Sequence, residues 1–440
     1  MNKKLGQDAI YDARELGIPR MLLLGLQHLF AMFGATVLVP ILVTGYGLPL
    51  SIQTTLLFAG IGTLLFHVCT KFKIPAFLGS SFAFLGGFQA VANLDSGKFA
   101  AMTGEEKLPY ALGGVVVAGL LYLVLALLFK LVGAKKVMRY FPPIVTGPII
   151  ILIGLNLSGT AVTNASTCWW LALVAIAIII VANIWGKGMI KIIPILLGVV
   201  GAYIVALIAT ACGAKLPGAD GVMQPLINFA SVKSADFVGL QKFVLAKFDV
   251  TSILVMAPIA IAAKMEHIGD VSAISSTTGK NFIEDPGLHR TLLGDGVGSM
   301  MGAFFGGCPN TTYGESVGCV AISGNASVVT ILTTAILAIV IAFVAPFIAF
   351  LSTIPSCVMG GVCIALYGFI AVSGLKMIQN VDLGDNRNLF VVSVILIAGV
   401  GGLTLNFGKV TLTQVACALI LGILTNLILK KRDGKKSSDK

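Results

Sequence analysis

The stretch Cys308-Pro-Asn-Thr-Thr-Tyr-Gly-Glu-Ser-Val-Gly318 is a short polar segment between two apolar runs. Its single acid, Glu315, is therefore expected at membrane depth rather than in a surface loop. Pro309 and Gly314 interrupt helical hydrogen bonding, which frees backbone N–H and C=O groups for other partners. Such irregular backbone is tolerated inside a membrane only where it lines a cavity or is buried in protein. The segment predicts a broken transmembrane helix beside a binding site.

Composition sets the class of protein. The chain has 440 residues, of which 57% are hydrophobic and 11% are charged, and its mean hydropathy is +0.97. These values exclude a soluble globular protein of ordinary composition. The net charge of +11 would suit a nucleic-acid partner, but the Lys and Arg residues lie in short segments between apolar runs and in both tails. We therefore predict a polytopic protein of a lipid bilayer with no nucleic-acid partner.

Apolar runs divide the chain into transmembrane segments. A helix needs roughly twenty apolar residues to span the hydrocarbon core of a bilayer. On this measure the sequence predicts an all-α polytopic membrane protein with about fourteen spans, several of them short or interrupted. The predicted spans begin near Met21, Ser51, Pro75, Tyr110, Pro142, Cys168, Ile190, Thr251, Gly287, Tyr313, Ser327, Pro355, Asn388 and Thr411.

The distribution of basic residues predicts the orientation in the membrane. With the N-terminus in the cytoplasm, 22 of the 30 Lys and Arg residues fall on the cytoplasmic side of the predicted spans, 7 fall outside, and Lys264 lies within a span. Cytoplasmic loops of membrane proteins carry an excess of Lys and Arg. Both termini are therefore expected in the cytoplasm, and the long loop at 213–249 is expected to be external and partly ordered.

Three short matches relate the two halves of the chain. They pair Gln27-His28 with Glu266-His267, Ser80-Ser81-Phe82 with Thr311-Thr312-Tyr313, and Pro142-x-x-Val145-x-Gly147 with Pro355-x-x-Val358-x-Gly360. The matches keep the same order, and each is offset by about half of the chain. They predict a duplicated unit of seven spans. Because seven is odd, the second copy enters the membrane from the opposite side, so the repeat is inverted and a binding site is expected where the copies meet.

Four acids and one lysine are predicted to lie within apolar surroundings. Glu266 and Asp270 are spaced i, i+4 on the eighth span, so both carboxylates share one helix face. Together with Glu315 they are candidates for a functional site, because an intramembrane carboxylate is costly. The alternative is a buried structural charge network. Lys264 is expected to point away from that face, and Asp295 is interpreted as structural because the glycines on both sides of it favour close helix packing.

A second polar break is predicted in the first half of the chain. The segment Ser80-Ser-Phe-Ala-Phe84 occupies the place in the repeat that Thr311 to Glu315 occupies in the second half. Its backbone around Ser81 would offer donors, and Phe82 would stack on a flat ligand. An ordinary core phenylalanine is the alternative. His28 and His267 are candidates for orienting the site or carrying protons, with a packing role as the alternative.

An enzymatic function is not predicted. The His and Cys residues lack the spacing of a zinc site, and no Walker A or dinucleotide-binding glycine motif follows a strand. No cofactor and no metal is therefore expected. The eight cysteines lie mostly within apolar runs and form no CxxC pair, so we interpret them as small buried hydrophobes.

At these motifs the sequence resembles the nucleobase/ascorbate transporter family and, within it, the bacterial uracil permeases. The resemblance is carried by Gln27-His-Leu-Phe-Ala-Met-Phe-Gly-Ala-Thr-Val-Leu-Val-Pro40, Ile74-Pro-Ala-Phe-Leu-Gly-Ser-Ser-Phe-Ala-Phe84, Glu266-His-Ile-Gly269, Asp285-Pro-Gly-Leu-His-Arg290 and Pro309-Asn-Thr-Thr-Tyr-Gly-Glu315. These motifs lie in both halves of the chain, and their combination is highly specific.

The resemblance implies fourteen spans in two inverted seven-span repeats, with short strands in spans 3 and 10. It also implies a core domain (spans 1–4 and 8–11) and a gate domain (spans 5–7 and 12–14). The expected division is a cytoplasmic tail at 1–20, core parts at 21–140 and 250–352, gate parts at 141–212 and 353–430, the external loop at 213–249 and a cytoplasmic tail at 431–440. The implied activity is proton-coupled import of uracil or a related nucleobase through a bacterial inner membrane, by a homodimer joined through the gate domains.

The resemblance also implies roles for individual residues. Substrate contacts fall on Glu266 and Glu315 as acids, Phe82 as the stacking aromatic, Tyr313 and Gly314 as the source of backbone contacts, and Tyr367 as a gate-side aromatic. Ser81, in the break of the first half, is a further candidate for substrate contact on the residues alone. Proton coupling is assigned from the residues themselves, as a hypothesis, to Glu315, Glu266, Asp270 and His28.

Two departures from the family pattern leave alternatives open. Asp270 stands where uracil permeases commonly have a second histidine, and Ser316-Val-Gly318 stands where they have Asn-x-Gly. The proton route and the substrate preference are therefore open at this point. The alternatives are a xanthine or purine symporter of the same family, an anion channel or exchanger of the same fold, a substrate sensor, and sodium as the coupling ion.

Overall fold

The computed structural model describes residues 9–95, 97–133, 142–217, 223–239, 241–407, 410–412 and 414–429. Of the predicted cytoplasmic tails, residues 1–8 and 431–440 lie outside the described residues. The same holds for the predicted cytoplasmic basic residues Lys135, Lys136 and Arg139.

Helices dominate the first half of the described chain. In order, this half contains α1 (Ile18–Gly45), α2 (Ile52–Cys69), β1 (Leu78–Ser80), α3 (Leu85–Ala92), α4 (Gly104–Val132), α5 (Pro143–Asn156), α6 (Ser158–Ser166), α7 (Trp169–Ile184), α8 (Met189–Ile192), α9 (Pro194–Ala211), β2 (Lys215–Pro217) and β3 (Met223–Pro225). Short 3₁₀ helices lie at Ala13–Leu16, Phe82–Phe84 and Gly97–Ala101.

The second half follows the same plan. It contains α10 (Ala230–Lys233), α11 (Val250–Met256), α12 (Ile259–Thr278), α13 (Leu288–Phe304), β4 (Asn310–Thr312), α14 (Gly314–Ser323), α15 (Val328–Ala342), α16 (Ala345–Leu351), α17 (Ser356–Ile378), α18 (Asn386–Val400), β5 (Leu405–Phe407), β6 (Val410–Leu412) and α19 (Gln414–Leu429). A short turn of π-helix at Ile283–Gly287 leads into α13.

The predicted spans are confirmed. Each predicted start lies close to the start of a helix, or of a strand that is followed by a helix. Within the described residues, 7 helical segments are long and apolar enough to cross a membrane, and five shorter apolar helices lie at further predicted spans. The predicted ninth and tenth spans correspond to α13 and to β4 with α14. The largest difference is α4, which begins six residues before the predicted Tyr110. There Thr103 and Glu106 form a capping box, in which each side chain accepts the other's backbone N–H, so the helix extends through a polar first turn.

The strands predicted in spans 3 and 10 are present and pair with each other. β1 and β4 are antiparallel, with Leu78 opposite Thr312 and Ser80 opposite Asn310. Each strand is followed by a helix, so both spans are half strand and half helix. Antiparallel pairing of equivalent segments is the arrangement expected of two inverted copies.

Glycines on α13 allow it to pack closely between α2 and α4. A Cβ atom on Gly294 would lie 2.9 Å from the Phe66 ring of α2, and one on Gly296 would lie 2.7 Å from Tyr122 Cβ of α4. Both distances are too short for ordinary side-chain contact. The close packing that the glycines beside Asp295 predicted is therefore present, and it buries Asp295 completely.

The spanning helices pack in two groups. In one group α13 packs against α2 and α4, and α15 packs against α1 and α2. In the other group α17 packs against α5, α6 and α7, and α18 packs against α19 and α5. Fewer contacts join the groups, among them those of α1 with α9 and of α12 with α5. Of the predicted buried cysteines, six are buried, Cys69 is half-buried and Cys212 is exposed.

We expect Ser299 to be essential for the stability of the strand pair. Its hydroxyl donates to Asn310 O at 2.6 Å and accepts the Asn310 N–H at 3.1 Å, so it satisfies two buried backbone groups where β4 begins. Ser299→Ala should lower the free energy of unfolding by roughly 1–3 kcal/mol, because the groups it leaves are buried and unpaired. Thermal unfolding in detergent measures the effect. Ser272→Ala is the control, since that hydroxyl only donates within its own helix, to Ile268 O; equal melting temperatures for both variants would contradict the prediction.

Candidate functional site

A cavity of about 540 Å³ lies where the two groups of helices meet. On the side of α12 and the two broken spans it is lined by six of the residues that the sequence singled out. These are Phe82, Glu266, Asp270, Tyr313, Gly314 and Glu315. The opposite wall comes from α5, α7 to α9 and α17. A volume of this size is typical of a site for a small organic molecule.

The carboxylates lie on one side of the cavity. Glu266 and Asp270 project from the same face of α12, as their spacing predicts, and Glu315 projects from the first turn of α14. Glu266 is exposed to the cavity, whereas Asp270 and Glu315 are half-buried. A Cβ atom on Gly314 would lie 3.6 Å from Asp270 Oδ1, an ordinary contact distance, so the start of α14 lies directly beside this acid. Three acids therefore face one small space.

The first turn of α14 faces the same space. Its N-cap residue is Tyr313, whose side chain makes no capping hydrogen bond. The first N–H groups of a helix have no partner within the helix, and they attract acceptor or anionic groups. Because Gly314 and Glu315 both line the cavity, this turn supplies hydrogen-bond donors beside the carboxylate acceptors.

The aromatic residues have different positions. Phe82 lines the cavity from the 3₁₀ turn that follows β1 and is 8% exposed. Tyr313 is 4% exposed, and its hydroxyl donates to Ser80 O at 2.8 Å across the strand pair. Phe82 is thus the ring available to stack on a ligand. Tyr313, which also lines the cavity, ties β1 to the start of α14.

Three predicted site residues lie outside the cavity lining. The Ser81 N–H donates to Pro309 O at 2.9 Å, so it is used within the strand crossing. The His28 ring lies 3.1 Å from the Ser316 hydroxyl, where it joins α1 to α14. Tyr367 is buried on α17. Its chain neighbour Leu366 reaches the cavity instead.

Sequence reasoning missed the far wall of the cavity. Asn183, Lys191, Phe369 and Ser373 line it, together with apolar residues of α5 and α17. The sequence predicted for Lys191 only that it is one of the 22 basic residues on the cytoplasmic side. No local signal distinguishes these positions, because they reach the cavity only through packing of distant helices. Lys191 brings a positive charge to a cavity that is otherwise acidic.

The chain is similar to known proteins over nearly its whole length. A family model described as "Permease family" matches residues 19–407. The uracil permease of Bacillus caldolyticus is 42% identical over 427 residues, which cover 93% of this chain and 92% of that protein. The probable uracil permease of Pasteurella multocida is 40% identical over 418 residues (92% and 93%), and the uracil permease of Escherichia coli K12 is 36% identical over 422 residues (92% and 90%).

Solved structures support the fold. The transmembrane domain of a cyanobacterium bicarbonate transporter, BicA, superposes with a TM-score of 0.60 at 16% identity and covers 89% of this chain and 97% of that domain. Murine Slc26a9, an anion transporter in the inward-facing state, gives 0.65 at 12% identity and covers 97% and 73%. At such identities the likeness concerns the fold alone. The match of the family model and the identity to uracil permeases along nearly the whole chain show that this chain belongs to the permease family.

Proposed function

We propose that the chain imports uracil by proton symport, through an elevator-type movement of one helix group past the other. The observation that carries the proposal is the cavity in which Glu266, Asp270 and Glu315 face Phe82 and the first turn of α14. Relatives in the same family are named uracil permeases. These residues provide hydrogen-bond acceptors, hydrogen-bond donors and an aromatic ring, which together suit a flat molecule with alternating donors and acceptors.

The hydrogen-bonding groups of uracil fit this wall. Uracil presents N–H donors beside carbonyl acceptors, so Glu266 and Glu315 accept from its N–H groups while the N–H groups at Gly314 donate to a carbonyl. Phe82 stacks on the ring face. A ligand that left one of these polar groups buried and unpaired would bind less well by roughly 1–3 kcal/mol, which accounts for selectivity.

An excess of negative charge supports proton coupling. Glu266, Asp270 and Glu315 face one cavity, and the lysine on its far wall, Lys191, lies in the range expected for the gate domain. Carrying uncompensated carboxylates through a membrane is costly, and a bound proton reduces that cost. We propose that Glu315, Glu266 or Asp270 binds the proton. His28 contacts the hydroxyl of Ser316, the residue after Glu315, in the protein interior.

The two packing groups support the elevator. We propose that the core domain comprises 21–140 and 250–352, that it carries the acids and both broken spans, and that the gate domain comprises 141–212 and 353–430. The cavity lies on the boundary, where Ile150 and Leu366 of the gate face the acids. Relative sliding of the two groups would expose the site on alternate sides.

The location and assembly belong to the same proposal. The excess of basic residues on one side of the spans supports two cytoplasmic termini in a bacterial inner membrane. The homodimer through the gate domains rests on the family resemblance.

Uptake by purified protein in proteoliposomes tests the proposal. Radiolabelled uracil should accumulate when the outside is acidic, and accumulation should collapse when a protonophore removes the gradient. Excess xanthine should leave uracil uptake unchanged. Uptake driven by a sodium gradient alone would overturn proton coupling, and accumulation of xanthine without uracil would overturn the substrate. Anion current that does not depend on nucleobase would favour a channel or exchanger.

Phe82→Ala should weaken uracil binding by about 5- to 10-fold, because a stacked aromatic contact contributes roughly 1 kcal/mol beyond area burial. Isothermal titration of uracil into the detergent-solubilised protein measures the change. Phe30→Ala is the control, since Phe30 is 47% exposed on α1 and lies outside the cavity lining. Equal affinities of the two variants would remove Phe82 from the site.

A further inference from the structure

The segment at 9–16, before α1, packs across the end of α14. We call it the N-terminal strap. The Ile10 N–H donates to Gly324 O at 2.9 Å, and Ile10 O accepts the Ala326 N–H at 2.8 Å, so the strap forms a parallel β-bridge with this loop. Gly324 has a φ of +68° and ends α14 in the left-handed conformation. The chain leaves the helix there, and its next backbone groups need partners from elsewhere.

Three further contacts connect the strap to α15 and α12. The Ala13 N–H donates to the Ser327 hydroxyl at 2.9 Å, directly before α15, and both residues are fully buried. The Tyr11 hydroxyl donates to Thr278 O, at the end of α12, at 3.4 Å. The Lys280 ammonium lies 4.6 Å from the centre of the Tyr11 ring. The strap therefore contacts the ends of α12 and α14 together.

These two helices carry the acids of the cavity. Glu266 and Asp270 precede Thr278 on α12, and Glu315 lies in the first turn of α14, which ends at Ser323. At 1.5 Å per residue, Glu315 lies about 12 Å along α14 from its far end. The cavity end of α14 has no side-chain cap. Because each helix has its acids toward one end and strap contacts at the other, a shift of the strap end changes how the carboxylates are placed at the cavity.

We propose that the N-terminal strap positions α12 and α14 for substrate binding, so that the strap contacts and the cavity are energetically coupled. Ile10, Tyr11 and Ala13 are positioning residues, since none of them lines the cavity. Coupling between two sites is reciprocal. If the strap strengthens uracil binding, bound uracil stabilises the strap contacts by the same factor. That uracil is the ligand rests on the proposed function, whereas the contacts of the strap with both helices do not.

Tyr11→Ala tests the effect of the strap on binding, because it removes both contacts with the end of α12. Tyr11 is 47% exposed, so the truncation leaves no buried cavity. Titration calorimetry and initial rates of uptake should show the Kd and the KM for uracil raised about 5-fold, at the low end of the coupling typical between two sites. The maximal rate should change less. Arg14→Ala is the matched control, since Arg14 is exposed in the same strap and pairs with Asp12 within it.

Hydrogen exchange of the wild-type protein measures the reciprocal effect. Saturating uracil should slow exchange of the donating N–H groups of Ile10, Ala13 and Ala326. The first turn of α14, which lines the cavity, should be slowed as well and shows that uracil is bound. The N–H groups of Thr103 and Glu106 form the capping box of α4, outside the cavity lining, and are the control. Their exchange should not change.

Two results would overturn the strap proposal. One is equal Kd values for Tyr11→Ala and Arg14→Ala, or a lower maximal rate with an unchanged KM, which would show a structural role alone. The other is slowed exchange in the first turn of α14 with unchanged exchange in the strap.

Failure of the proposed function gives a different result. Uracil would then slow exchange neither at the cavity nor in the strap, and xanthine would be the second probe. Slowing of the cavity and the strap together by xanthine would support the strap proposal with another substrate. Slowing by neither nucleobase would end both proposals.

Discussion

Glu266→Gln is expected to abolish measurable uracil accumulation in proteoliposomes. Glu266 is the acid most exposed to the cavity, and its carboxylate is a pure acceptor for a uracil N–H. The Gln amide can turn an N–H₂ donor toward the same N–H, and its acceptor carries no charge. Loss of a charge-assisted hydrogen bond weakens binding by roughly 1.5–3 kcal/mol, or about 10- to 150-fold. Initial rates of uptake and titration calorimetry with uracil measure the two consequences.

Glu284→Gln is the matched control for that variant. Glu284 is an exposed acid in the turn before α13 and lies outside the cavity lining. It should transport at the wild-type rate. If Glu266→Gln bound uracil as tightly as Glu284→Gln, the carboxylate of Glu266 would not contact the substrate, and the proposed orientation of uracil would be wrong.

The fold was largely predictable because its main signals are local in sequence. Apolar runs set the spans, and Pro309 with Gly314 marks where the tenth one breaks. The sequence predicted two strands in matched places of a repeat, but not that β1 and β4 pair with each other. Their register depends on contacts between segments more than two hundred residues apart, such as Tyr313 with Ser80. The early start of α4 was missed because Thr103 and Glu106 act through capping, which apolar periodicity does not record.

The acidic wall of the cavity was also predictable from sequence. A carboxylate in an apolar run has few roles, and the spacing of Glu266 and Asp270 places both on one helix face. The opposite wall was not predictable, since apolar residues such as Leu366 and Phe369 look the same whether they face lipid, core or cavity. Family resemblance has a similar limit at Tyr367. The resemblance implies that Tyr367 contacts the substrate, but the residue that lines the cavity is its neighbour Leu366.

Lys264 and Asp295 show why an isolated buried charge is hard to interpret from sequence. Lys264 is two residues from Glu266, and helical geometry correctly predicts that it points elsewhere. What it meets depends on how α12 packs against α4 and α13. Asp295 was interpreted as a packing position, and the packing is present. The same close approach also places its carboxylate beside His267, which no property of the sequence around Asp295 indicates.

Glu315→Gln is expected to separate substrate movement from the proton gradient. Glu315 lies in the first turn of α14, directly after the break that brings donors to the cavity, and it is half-buried. A Gln side chain neither binds nor releases a proton in the physiological range, so a transporter that loads its proton here loses the energetic link to the gradient. Accumulation of uracil against its gradient should be lost, whereas exchange of labelled for unlabelled uracil across the membrane should continue at a reduced rate.

Two assays on the same proteoliposomes distinguish these activities. Gradient-driven uptake is measured at several external pH values, and counterflow is measured with equal pH on both sides. Glu105→Gln, an exposed acid near the start of α4, is the control and should keep both activities. Full uptake with an unchanged pH dependence in Glu315→Gln would remove Glu315 as the proton carrier. Since Glu266 and Asp270 line the same cavity, the proton would then be sought on α12, and Asp270→Asn would be the variant expected to lose accumulation while counterflow continues.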